Sequence, residues 1–230
     1  MADDKELLGD NLQEEFGSFE QFVEEKKKPL LIGGGVLLVL AIALLFVFMK
    51  WLPDRNIQAQ KAMYMAEFAF GKDSFEVALN GRAGNVGAAG FDGFATIANK
   101  YSWTKAANLS NYYAGICCLH LKKYDEAIKY LDKFSTSDPI IGATRLNALG
   151  DASMELGKTE EGIKYYAKAA EFSDNEAYSP YYLLKAGEAS ELKKNYADAK
   201  KYYEKIKEKY PATEEGRDIE RYLARVGSAQ

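Results

Sequence analysis

Twenty consecutive residues without a charge, Leu30 to Met49, read LLIGGGVLLVLAIALLFVFM and constrain this chain more than any other feature. A helix rises about 1.5 Å per residue, so the run spans about 30 Å, the thickness of a bilayer's hydrocarbon core. Lys26, Lys27, Lys28 and Pro29 precede it, while Lys50, Trp51, Leu52 and Pro53 follow with an interfacial aromatic and an expected helix stop. A cleaved signal peptide is the alternative. Against it, the preceding region is long and acidic, the run is too long, and neither a small-x-small site nor a Leu-x-x-Cys lipoprotein site follows. A retained transmembrane helix is therefore expected over residues 29–52. The tight cluster Lys26 to Lys28 against the dispersed Lys50, Arg55 and Lys61 favours an inside amino terminus. Gly33, Gly34 and Gly35 are adjacent rather than spaced as a small-x-x-x-small dimer face, and are expected to loosen the inner end of the helix.

Charge separates the two sides of this segment. Of 34 acidic and 30 basic residues, 10 and 6 fall within the first 55, leaving a formally neutral body with 24 of each. Residues 1–28 form an acidic tail, in which Leu8, Leu12, Phe16, Phe19 and Val23 recur at helical spacing. Both a transient docking helix and a mostly solvated tail fit that pattern. Neutralising phosphates takes clustered Lys and Arg, which the neutral body lacks, so nucleic acid is excluded as a partner.

Beyond residue 56 the chain is rich in Ala, Lys, Glu and Tyr at helical spacing, and three segments align: residues 111–139, 146–174 and 183–211. Each carries a glycine (Gly115, Gly150, Gly187), a small residue twelve positions on (Ala127, Gly162, Ala199) and a large residue four further (Leu131, Tyr166, Tyr203). Small residues let two antiparallel helices approach, and the large residue is expected to fill the gap to the next hairpin. The offsets of 35 and 37 residues lie close to the period of about 34 of the tetratricopeptide repeat (TPR), which these segments resemble. Pro139 and Pro211 stand where that repeat closes its second helix. The resemblance implies an all-α, TPR-like helical-hairpin solenoid over residues 56–230, with three to four hairpins and a capping helix, preceded by one transmembrane helix.

The flanks extend the array. Lys100, Tyr101 and Thr104 match Lys209, Tyr210 and Thr213, so a partial hairpin pairing helices near 56–70 and 90–100 is expected before residue 101. After 213, Ile219, Tyr222, Leu223 and Val226 form the apolar face of the capping helix. Residues 81–90, with Gly81, Gly84, Gly87 and Gly90, lack the lysine and hydroxyl of a phosphate cradle and read as a flexible loop.

Catalytic and metal chemistry find little material. The one histidine, His120, and the adjacent Cys117 and Cys118 lack zinc-ligand spacing, and adjacent cysteines lack the spacing of a redox pair. The cysteines read as small core residues and His120 as a surface or groove residue. Without a second histidine, only Lys or carboxylates could serve as base to a nucleophile. Neither a cofactor, a metal nor a small-molecule substrate is expected, and the chain is not expected to be an enzyme.

Stacked hairpins line one surface with their first helices, where residues spaced four and three apart share a direction. In register that face carries Leu109, Tyr112, Ile116 and Leu119, then Thr144, Asn147, Asp151 and Met154, then Tyr181, Leu184, Glu188 and Glu191. These are candidate protein-binding residues. The Lys, Asn and Arg clamp with which TPR cochaperones hold a carboxyl terminus is not repeated here; an aromatic and acidic groove suits extended segments with apolar side chains and some positive charge. Several of the twelve also fit a purely packing role.

The order of acidic tail, Lys-flanked span and TPR body resembles the ancillary, TPR-bearing subunit of the bacterial Sec translocon. That resemblance implies an inner-membrane protein with a cytoplasmic amino terminus, a periplasmic body, and protein partners among translocon subunits, periplasmic chaperones and exported proteins. The glycine segment 81–90 departs from a plain repeat. A structural organiser of another envelope complex, without client binding, is the alternative function.

Overall fold

The computed structural model describes residues 26–84 and 89–229. The periodic tail residues Leu8 to Val23 and residues 85–88 of the glycine segment lie outside the described residues. The chain divides after Asp54 into two compact units.

In the first unit, α1 (Lys27–Phe46) is followed by a π-helical turn, Val47–Trp51. It is the one helix among the described residues that is long and apolar enough to cross a membrane, with a mean hydropathy of 3.0. Its large apolar side chains, among them Leu31, Val36, Leu40 and Phe46, are exposed, as suits a helix that is apolar on every face. The helix runs through Gly33, Gly34 and Gly35 without a break. Pro53 does not stop the helical course either. It stands in the first turn of α2 (Leu52–Phe70), where its missing N–H needs no partner, and the widened π-turn accommodates the ring.

The second unit is an array of antiparallel helices. After α2 come α3 (Phe75–Asn80), a two-stranded ladder β1 (Gly81–Arg82) and β2 (Phe91–Asp92), and α4 (Phe94–Lys100). Three hairpins follow: α5 (Lys105–His120) with α6 (Tyr124–Lys133), α7 (Pro139–Glu155) with α8 (Thr159–Ser173), and α9 (Ser179–Leu192) with α10 (Tyr196–Lys209). The capping helix α11 (Glu214–Ser228) closes the array by burying Ile219 and Val226, with Tyr222 and Leu223 partly covered beside them.

The partial hairpin before residue 101 is larger than expected. Ala59, Met63, Ala66 and Ala69 of α2 bury against Ala78 and Leu79 of α3, Phe94 and Ile97 of α4, and Ala106 and Ala114 of α5. The rings of Phe75, Phe94 and Tyr113 surround Phe70, each 5 to 6.3 Å away. The described start of the glycine segment is paired, Gly81 with Asp92 and Arg82 with Phe91. Glycine chemistry makes this ladder: Gly81 has φ +80°, and a Cβ on Gly81 or Gly93 would strike the opposite backbone.

The repeated turns share one geometry. Lys122, Gly157 and Lys194, at equivalent positions between paired helices, all take positive φ. Each following amide reaches back to a carbonyl of the first helix: Lys123 to Cys118, Lys158 to Ser153, Asn195 to Ser190, at 2.8 to 2.9 Å. The matched Tyr101–Thr104 and Tyr210–Thr213 turns also coincide. Thr104 and Thr213 each cap a helix, accepting from Ala107 and Gly216 and donating to Tyr101 and Tyr210 carbonyls. Pro139 corrects its expectation: it opens α7 behind the cap Asp138 rather than closing α6, which ends at Lys133.

The repeat signature packs in two directions at once. Leu131, Tyr166 and Tyr203 lie against Gly115, Gly150 and Gly187 of their own hairpins, where a Cβ would overlap the larger side chain. The large residue therefore closes its own hairpin and also meets the next element, Leu131 packing with Ala148 and Leu149, Tyr166 with Ala186 and Ala189, and Tyr203 with Ile219 and Val226. Gly187→Ala drives a methyl into the Tyr203 ring and is expected to cost about 1–3 kcal/mol. Gly227→Ala, with nothing within 4 Å, is expected to gain up to about 1 kcal/mol from helix propensity. Thermal melts of the detergent-solubilised chain, followed by circular dichroism, compare the two.

Candidate protein-binding face

The candidate residues divide by hairpin. In α5, Tyr112, Ile116 and Leu119 are partly buried against Leu131, Ala148 and Leu149, and Leu109 packs on the core of the first helices. Tyr112 also sits 5.2 Å from the Phe134 ring. These side chains join α5 and α6 to α7, so much of their area serves packing. Met154 has the same fate, its thioether lying over Gly162 and its chain beside Tyr166. Thr144 turns its hydroxyl back to the Ile140 carbonyl.

The open part of the face belongs to α7 and α9. Tyr181 is 46% exposed and Glu188 is exposed, with Leu184, Asn147 and Asp151 half-buried between them. Asp151 is the centre of a bridge between hairpins. Its carboxylate accepts from Asn147 Nδ2 at 3.1 Å and from the Tyr166 hydroxyl at 2.7 Å. Lys185 of α9 forms an ion pair with the same carboxylate and donates to Asn147 Oδ1 at 2.7 Å. The Lys185 ammonium also lies 4.4 Å from the Tyr166 ring centroid and 5.5 Å from that of Tyr181.

A second bridge repeats the logic one hairpin on. Glu191 of α9 accepts from the Tyr203 hydroxyl and receives a two-pronged contact from Arg225 of α11, at 2.8 and 2.6 Å. Burial pushes the Glu191 carboxyl up, but the Arg225 and Tyr203 hydrogen bonds outweigh it and hold it below the usual carboxylate range. Burial and the neighbouring Glu191 charge raise Glu188 against an opposing pull from Arg225.

These contacts change the charge expected of the groove. Asp151 and Glu191 are neutralised from within by Lys185 and Arg225, so the face does not advertise two free carboxylates to a basic segment. Asn147 is held at both ends of its amide, donating from Nδ2 to Asp151 and accepting at Oδ1 from Lys185. What remains accessible is the Tyr181 ring, part of Leu184 and the rim carboxylate Glu188.

Lys185, Tyr166, Tyr203 and Arg225 are absent from the candidate set read from the sequence. Two signals for them existed. Lys185 occupies the register position held by Tyr113 and Ala148, so a cation there replaces an apolar side chain. Tyrosine replaces Leu131 at 166 and 203, and each buried hydroxyl then needs an acceptor from the first helix.

Burial pushes the Cys117 thiol up to about 12 and the Cys118 thiol up to about 11, so both stay protonated at neutral pH. His120 stacks on Phe75 with ring centroids 4.0 Å apart, away from the first-helix face of α7 and α9. Among the described residues no group of three or more His, Cys, Asp or Glu side chains could hold a metal ion.

Residues 143–176 and 181–213 each match a family model described as the tetratricopeptide repeat. The two matches cover α7 with α8 and α9 with α10, the hairpins that carry the bridges. No curated protein matches the chain.

Burial first, and then the carboxylate partner, hold the Tyr166 and Tyr203 phenols far above their ordinary value of about 10. Their folded-state affinity for the proton exceeds that of the unfolded chain. The stability they contribute is complete below about pH 10 and drains as pH rises toward the folded value. Tyr166→Phe with Tyr203→Phe is expected to cost about 1.5–3 kcal/mol per site at neutral pH. The pair should also flatten the alkaline loss of stability, read as urea midpoints against pH.

Proposed function

We propose that this tetratricopeptide-repeat chain is a membrane-anchored scaffold that holds another polypeptide along the first-helix face of α7 and α9. It serves, in this reading, as an adaptor or chaperone-like factor for protein export at the translocon. The observation that carries the binding reading is the exposed Tyr181 ring beside Leu184, on a face where Asp151 and Glu191 are already paired. An exposed aromatic supported by a fixed ion pair is a pre-organised anchor for an apolar side chain, and aromatic anchors dominate binding energy at protein interfaces.

The anchor reading draws on α1, whose length and composition fit a bilayer. Protein binding follows from the repeat architecture, which presents an extended surface to a chain rather than a closed pocket to a small molecule. The export role draws on the layout of tail, span and body. It implies a cytoplasmic amino terminus and a periplasmic body in a bacterial inner membrane, with translocon subunits, periplasmic chaperones or exported chains as partners. The neutralised carboxylates favour apolar, extended segments over strongly basic ones.

Affinity purification of the full chain from gently solubilised native membranes, with quantitative mass spectrometry, tests both levels. Wild-type protein is expected to retain translocon subunits or periplasmic chaperones at near-stoichiometric amounts. Tyr181→Ala with Leu184→Ala is expected to lower that recovery at least tenfold, since losing an aromatic anchor costs about 2 kcal/mol or more. Equal recovery by the variant would remove the face from the account. A Tyr181-dependent partner from a different envelope complex would keep the scaffold and overturn the export role.

A further inference from the structure

The Tyr101–Thr104 turn carries a feature that its counterpart lacks. Trp103 takes φ +73° and is 88% exposed, whereas Ala212, at the equivalent place in the Tyr210–Thr213 turn, stays out of the positive-φ region. The same pair of threonine caps is thus made there without a left-handed residue. A bulky side chain rarely adopts such a backbone, and outliers of this kind gather at ligand sites. The Trp103 ring stands at an open pocket of about 660 Å³ formed by the end of α4, the start of α5 and the end of α6. None of Tyr181, Leu184 and Glu188, the accessible part of the α7 and α9 face, lines it.

The chemistry of this pocket is one-sided. Lys105 and Lys133 line it, neither of them in an ion pair among the described residues, and no carboxylate does; the nearby Asp132 is paired with Arg145. Asn99 and Asn111 line it as well. Each donates from Nδ2 to a carbonyl of its own helix, Ala95 at 3.0 Å and Ala107 at 3.1 Å, which leaves Oδ1 as the uncommitted acceptor. One wall is fixed in advance, because Asn108 donates to the Ser135 carbonyl at 2.8 Å and accepts from the Ser135 N–H at 3.0 Å. Two cations, two amide acceptors and an indole select a ligand with negative charge, N–H donors and an apolar side chain. A bare inorganic anion satisfies the lysines but has no N–H for the amides. An acidic peptide segment offers all three.

We propose that the pocket beside Trp103 holds an acidic segment of another polypeptide, with its carboxylates paired to Lys105 and Lys133 and an apolar side chain on the Trp103 ring. It is a second contact, separate from the α7 and α9 face, and its charge preference is set by the two lysines.

Titration of the detergent-solubilised full chain with a dye-labelled peptide carrying one phenylalanine among glutamates, followed by anisotropy, tests this. The peptide in which lysine replaces each glutamate should bind about tenfold more weakly or worse, and inorganic phosphate should not displace the acidic one. Trp103→Gly, which takes the left-handed backbone without a Cβ penalty, should lower affinity about tenfold or more and leave the melting temperature unlowered. Lys105→Glu with Lys133→Glu should reverse the preference between the two peptides. Unchanged affinity in Trp103→Gly, or a loss accompanied by a lowered melting temperature, would overturn the proposal. So would displacement by phosphate or an unreversed preference in the charge-swapped chain. Loss of the peptide on Tyr181→Ala with Leu184→Ala would place it on the α7 and α9 face and overturn the pocket alone.

Discussion

Each hairpin closes because a large side chain of its second helix occupies the space where a glycine of its first helix has no Cβ. Leu131 on Gly115, Tyr166 on Gly150 and Tyr203 on Gly187 are three versions of one contact. The choice of large residue then decides what else the hairpin must supply. Leucine ends in methyl groups and asks for nothing polar, and α5 meets it with Ile116 and Leu119. Tyrosine carries a hydroxyl through the same gap to the first-helix face, where it requires an acceptor. Asp151 and Glu191 provide it, and each carboxylate in turn draws a cation from the next element, Lys185 from α9 and Arg225 from α11.

The closure of a hairpin is thus linked to the joint between hairpins. Removing either partner of a half-buried pair such as Lys185 and Asp151 leaves a charge with poor solvation, whereas an exposed pair on the outer helices contributes little. The Tyr166, Asp151, Asn147 and Lys185 cluster fixes α9 relative to α7 through groups with defined directions. The joint of α5 and α6 with α7 relies on apolar packing. A face held by directional contacts presents Tyr181 in one place, which is the condition for an anchor that binds without reordering first.

Much of the fold was legible in the sequence. The Gly, small, large spacing located all three hairpins, and the Tyr101 and Tyr210 turns marked equivalent helix starts that the paired threonines then cap. The long apolar helix α1 was legible because twenty uncharged residues have few structural alternatives. The short helix α3 and the β1–β2 ladder were not, since six residues carry too little periodicity to read and the ladder depends on glycines meeting across a gap in sequence. The first-helix register selected positions by direction alone. It could not separate Tyr181, which is open, from Met154, which covers Gly162, because that depends on which neighbour lacks a side chain. Nor could it show that Asp151 and Glu191 are spoken for, because their cations come from a different hairpin and from the cap.

The central claim is that the first-helix face of α7 and α9 receives another polypeptide. Placing a photo-cross-linking amino acid at Glu188, on the exposed rim of that face, and at Lys129, on the outer side of α6, tests it in intact cells producing the full chain. The account predicts discrete adducts with another polypeptide from position 188 and none of comparable yield from 129. Adducts confined to 129, or none from 188 in protein that retains its helical signal, would contradict it.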